Sequence, residues 1–143
     1  MNVKTILAAK GGDVVSIEPT ATLADAAKLL GKHRIGAVVI RGAGGRLAGI
    51  LSERDIVRAM ADHGASAIDL PVGQVMTRNV ITCGENDSIG DLMEQMTAGK
   101  FRHIPVLKAD RLIGVVSIGD IVKMRLQEIE TDAAAMRDYI QTA

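Results

Sequence analysis

An internal repeat constrains this chain more tightly than anything in its composition. DVVSIEPTATLADAAKLL at 13–30 lines up with NVITCGENDSIGDLMEQM at 79–96. IGAVVI at 35–40 lines up with RHIPVL at 102–107, and GRLAGILSERDIV at 45–57 with DRLIGVVSIGDIV at 110–122. The offset stays nearly constant, so only small loop changes separate the copies. A unit of about 60 residues is marginal alone. The connector HGASAIDLPVG is too short for independent domains, so the copies are expected to pack together.

Each copy reads strand, helix, strand, strand, helix. VVSI and VITC are short β-rich runs. Leu23, Ala26, Ala27 and Leu30 recur at helical spacing, as do Ile89, Leu92, Met93 and Met96. Thr22 and Ser88 stand where helix caps belong, with Asp25 and Asp91 three residues on. RGAGGR and KADR are hairpin-type turns. The tail after the second copy reads as a continued helix with Leu126, Ile129, Ala133 and Met136 near one face. That face either packs on its own module or meets a second copy. The expected fold is α/β, two tandem β-α-β-β-α repeats with a C-terminal helical extension, divided as 1–64, 65–128 and 129–143.

Composition narrows the function. The core must be aliphatic, because Phe101 and Tyr139 are the only aromatics. Base-stacking platforms for single strands need more rings than that. Lys+Arg and Asp+Glu stand at 17 each, without the basic excess of a nucleic-acid binder. Cys83 is the only cysteine, so no intrachain disulfide forms and a reducing compartment is expected. No stretch resembles a signal peptide or a membrane span. The expectation is a soluble, cytoplasmic protein that binds neither nucleic acid nor membrane.

Gly-apolar-apolar-Ser-x-x-Asp occurs at Gly49–Asp55 and again at Gly114–Asp120. Ser with an acid three residues later, at a strand-to-helix junction, is a capping signal. Two details favour a ligand. Asp55 and Asp120 are shorter than the usual Glu or Gln partner, which leaves them free to turn from the cap and accept bonds from a vicinal diol such as ribose. Ser52 and Ser117 also stand at helix N-termini, where N–H groups and the dipole favour an anion. Both readings fit the residues.

With these motifs repeated in register, the sequence resembles a tandem pair of cystathionine-β-synthase-type (CBS) domains from about Val3 to about Gln127. The resemblance implies two repeats packed about a pseudo-two-fold axis, with clefts between them that take AMP, ADP or ATP, and in some members NAD(H) or S-adenosylmethionine. It implies a homodimer of modules and a regulatory role without catalysis, acting on a protein partner the sequence does not name. Carried over, Ser52 and Ser117 help bind phosphate, and Asp55 and Asp120 bind ribose. Asp13 and Val14, and Asn79 and Val80 with Thr77, close over the base.

The copies are unequal. Lys100, Arg102 and His103 precede or open one strand, whereas Ile35 and Gly36 align with the last two. Basic side chains there suit phosphate, Arg above all, so the second repeat is expected to hold the stronger site. Arg54 partly compensates in the first, and Gly119 in the second lets a phosphate approach the backbone. GAGGRLAG is not a dinucleotide fingerprint, since it lacks the third Gly and leads into a strand. His33, His63, His103 and Cys83 lack metal-ligand spacing, and no catalytic constellation or metal site is evident. The rival readings are an adaptor dimer with vestigial clefts and a nucleotide-processing enzyme.

Overall fold

The computed structural model describes residues 1–142; Ala143, the last residue of the expected tail, lies outside them. The elements run α1 (Val3–Lys10), β1 (Ser16–Ile17), α2 (Leu23–His33), β2 (Ala37–Arg41), β3 (Leu47–Ser52), α3 (Glu53–His63), α4 (Val72–Val75), α5 (Ile89–Gly99), β4 (His103–Lys108), β5 (Arg111–Ser117) and α6 (Ile118–Thr142). In the first repeat β1 pairs parallel with β2, and β2 antiparallel with β3. In the second, β4 and β5 form a hairpin whose turn residues Ala109 and Asp110 both have positive φ. The expected strand VITC is reduced to one parallel bridge, Cys83 to Val106. Its bonds remain: Cys83 N–H donates to Pro105 O at 3.0 Å and Leu107 N–H to Cys83 O at 2.9 Å.

The helices start where their caps say. Thr22 and Ser52 accept from the N–H groups of Asp25 and Asp55, and both acids reach back to the cap N–H. Ser88 caps α5 by accepting from Asp91 N–H. Of the four apolar positions expected to face the core of α2, Leu23, Ala26 and Leu30 are buried and Ala27 is exposed.

Two apolar clusters form the core. One gathers Leu23, Leu30, Val38, Ile40 and Leu51 with Ala67 and Val72. The other gathers Cys83, Leu92, Ile104, Val106, Val116 and Ile121 with Val3 and Ile6. The short helix before each repeat thus packs on the other repeat. The pseudo-two-fold relation is visible bond by bond. Val72 N–H donates to Ala21 O at 2.7 Å, and Val3 N–H to Asp87 O at 3.0 Å. Pro71 bridges Thr22 as Asn2 bridges Ser88.

The Gly of each repeated motif makes room for the crossing helix. A Cβ on Gly49 would stand 2.7 Å from Met76 Sδ and Thr77 O; one on Gly114 would stand 2.5 Å from Leu7 Cδ2. The tail of α6 bears on the first of the two readings given for it above. Leu126, Ile129, Ala133 and Met136 are exposed, so that face does not pack on its own module. No helix among the described residues is long and apolar enough to cross a membrane.

Candidate functional site

Ser52 and Ser117 end β3 and β5 and begin α3 and α6. Ser52 N–H donates to Asp55 Oδ2 at 2.9 Å, while Asp55 N–H donates to Ser52 Oγ at 3.3 Å. Ser117 and Asp120 repeat this at 2.9 and 3.2 Å. The shorter acids therefore do reach the cap, in line with the capping reading. Each uses Oδ2 for that bond. The N–H of Glu53 is taken by Gly36 O at 3.0 Å and that of Ile118 by Arg102 O at 2.8 Å. None of these bonds uses the N–H of Arg54 or Gly119.

Those two bonds also correct the alignment. β2 pairs Ala37 with Ser52, and β4 pairs His103 with Ser117. The counterparts of Arg102 and His103 are therefore Gly36 and Ala37, one residue on from the sequence pairing with Ile35 and Gly36. The contrast in charge survives the shift.

One cleft of ≈ 1000 Å³ lies between the repeats. It collects Ser52, Arg54 and Asp55 from the first repeat, Thr77, Asn79 and Val80 from the connecting segment, and Lys100, Arg102, His103, Ser117 and Gly119 from the second. The sequence divided these residues between two clefts; the fold brings them to one, and leaves Asp13, Val14 and Asp120 out of its lining. Arg54 Nη1 crosses it to Lys100 O at 3.1 Å. The His103 ring lies against Gly36, where an added Cβ would stand 3.2 Å from Cε1. Ile50 closes the floor by exchanging backbone bonds with Thr77 at 3.0 and 2.9 Å. With Arg58 and Glu53 also on its walls, cationic side chains outnumber acids there. Such a wall attracts an anion.

The pseudo-symmetric position around Asp120 is built differently. Lys10, at the end of α1, donates to Val115 O at 2.7 Å and to Asp120 Oδ2 at 2.8 Å. Burial pushes the Asp120 carboxyl up, but the Lys10 and Ser117 hydrogen bonds and the Lys10 charge outweigh it, and its pKa falls below the usual carboxylate range. His103 falls below the usual imidazole range through burial first and Lys10 next, against an upward pull from Asp120 and Glu53. The sequence reading missed Lys10 because it missed α1. A signal was present, since Asn2 and Thr5 form a reciprocal cap at its start. Cys83 is a buried strand residue, and burial followed by the charge of Asp87 pushes its thiol up to about 12, so it is no nucleophile at neutral pH.

Two repeated α/β units facing one another across a basic cleft define a tandem domain pair. The CBS domain family model matches residues 4–62 and 72–126, and the chain belongs to that family. It is 37% identical over 124 residues to the mitochondrial CBS domain-containing protein CBSX3 of Arabidopsis thaliana, covering 84% of this chain and 60% of the relative. The chain thus spans under two thirds of that relative's length. The crystal structure of the CBS-domain containing protein ATU1752 from Agrobacterium tumefaciens matches at 47% identity and a TM-score of 0.85, covering 87% of this chain and 92% of that one. The CBS domain pair of protein MJ0100, solved in complex with 5′-methylthioadenosine and S-adenosyl-L-methionine, matches at 28% identity and a TM-score of 0.80, covering 90% and 98%.

Proposed function

We propose that this chain is a regulatory module that binds an adenine nucleotide, AMP foremost, and performs no catalysis. ATP, ADP and NAD(H) complete the candidate set. The observation that carries the reading is the single cleft joining Asp55 to the cationic strand opening at Arg102 and His103. Its volume is at the upper end of the about 300–1,000 Å³ of small-molecule sites. In this reading Asp55 accepts the ribose hydroxyls, and Thr77, Asn79 and Val80 line the base. Ser52, Arg54, Lys100, Arg102, His103, Ser117 and Gly119 receive phosphate. The position around Asp120 is a second site of different preference, with Lys10 already on its carboxylate, and Asp13 and Val14 close over a base as the family resemblance implies. The MJ0100 pair, solved with two adenosine compounds, supports the ligand class. The module acts in the cytoplasm as a homodimer, and the ligand works by binding one arrangement of a partner-contacting surface better than another.

Calorimetry with AMP and adenosine tests this. Arg102→Ala is expected to weaken AMP about tenfold or more, the scale of a lost hydrogen bond to a charged group, and to leave adenosine unchanged. Asp55→Ala weakens both. If the wild-type protein takes up no adenosine compound at millimolar concentration, the reading fails and the chain is an adaptor. Product formed from ATP and magnesium would make it an enzyme instead.

A further inference from the structure

α6 carries an uncovered apolar line along most of its length. Val122, Leu126, Ile129, Ala133, Met136 and Ile140 follow one another at alternating steps of four and three residues. Val122 is 47% exposed, Leu126 55%, Ile129 58%, Met136 60% and Ile140 66%. A strict alternation of this kind is the seam of a left-handed coiled coil rather than the broader face of a globular helix. In heptad terms Leu126, Ala133 and Ile140 are a positions, and Val122, Ile129 and Met136 are d positions.

The flanking charges choose the partner and its direction. Lys123, Glu130 and Arg137 fall at e, and Arg125 and Asp132 at g. In a parallel pair of identical helices each g residue faces the e residue five positions on in the other chain. Arg125 then meets Glu130 of the second copy, and Asp132 meets Arg137. Both contacts join opposite charges. An antiparallel pair overlapping the whole stripe sets Glu130 against Glu130, Asp132 against Asp132 and Lys123 against Arg137, like charges throughout. Arg125 now holds Glu128 at 3.1 Å in an exposed pair one turn away; such pairs contribute only a few tenths of a kcal/mol, so redirecting Arg125 costs little.

We infer that α6 pairs in parallel with α6 of a second copy, forming a short two-stranded coiled coil over residues 122–140 that joins two modules. This rests on the homodimer in the proposed function and identifies the surface that makes it. The seam is shorter than the roughly three to four heptads of a free-standing coil. It is anchored because α6 begins inside the module, where Ile121 and Met124 are buried.

Sedimentation equilibrium of the full chain, with circular dichroism as the folding control, tests the arm. The wild type is expected to be a dimer. Ile129→Asp with Met136→Asp, both at exposed positions, is expected to weaken the dimer at least about tenfold without loss of helix in the module. Glu130→Arg weakens it too, and adding Arg125→Glu restores it. Leu126→Cys and Ile140→Cys each form a disulfide with themselves in a parallel pair, whereas an antiparallel pair allows at most one. A monomeric wild type removes the homodimer and the arm together. A dimer indifferent to the double Asp variant overturns the arm alone, and cross-linking at only one cysteine position overturns the parallel direction.

Discussion

Lys10 shows how much one side chain governs the asymmetry between the repeats. Its ammonium holds Asp120 and sits close enough to depress the His103 pKa. Lys10→Met keeps the apolar stem and removes the charge. The His103 pKa is expected to rise, because burial remains but the second depressing cause is gone. A proton NMR titration reads this, and an unmoved midpoint means that the Lys10 charge does not depress the value. The same pair of groups gives the protein an acid-sensitive stability. His103 is depressed in the folded chain, so below about pH 6.5 the unfolded chain binds a proton that the folded one refuses, and stability drops as pH falls. Asp120 is also depressed; its contribution is present above the ordinary Asp value and is lost only as pH falls through the folded one. Melts between pH 7 and 5 therefore report His103 first. The wild-type Tm is expected to decline over that range, and that of His103→Gln to decline less. Parallel curves would mean that His103 is not the group responsible.

Among the elements, the motif glycines make the sharpest prediction. A methyl on Gly49 meets the backbone oxygen of Thr77, which cannot step aside without moving the connecting segment, whereas one on Gly114 meets the flexible end of Leu7. One on Gly119 meets only Ser117 Oγ, at 3.6 Å. Gly49→Ala is expected to cost about 1–3 kcal/mol and Gly114→Ala less, while Gly119→Ala is neutral or stabilising by up to about 1 kcal/mol because Gly is a poor helix former. Urea unfolding ranks them, and a Gly49→Ala no worse than Gly119→Ala would show that the close approach has no energetic weight. These elements also show what the sequence made legible. Helices with Thr or Ser caps were plain. The register of β2 and β4 slipped by one because their central residues are buried in succession. A strand buried on both faces has no polar alternation to mark its phase. α1 went unseen because its apolar stripe is short, with Val3 and Ile6 buried and Leu7 partly so.

At the scale of the molecule, the sequence identified most of the cleft's residues and misassigned their partnership. The repeat pattern groups Arg102 and His103 with Asp120, their neighbour in sequence. The cleft collects them with Asp55 and leaves Asp120 out of its lining, although His103 still feels the Asp120 charge. Exchange of the leading helices, which no local pattern announces, decides where the chain can be divided. A boundary after residue 64 leaves the first repeat without Ala67 and Val72, both fully buried in its core, and burdens it with α1, whose Val3 and Ile6 belong to the other. A fragment of residues 13–78 keeps β1 to β3 and every buried member of the first cluster. Both fragments are small enough to be marginal, so core completeness decides between them. Losing Val72 alone removes a fully buried aliphatic side chain, worth about 1.5–3 kcal/mol of burial, which a domain of this size cannot spare. Fragment 13–78 is expected to melt cooperatively by circular dichroism, and fragment 1–64 to show no transition. Equal folding of the two would place the boundary where the repeat in the sequence places it and would make the helix exchange a minor contact.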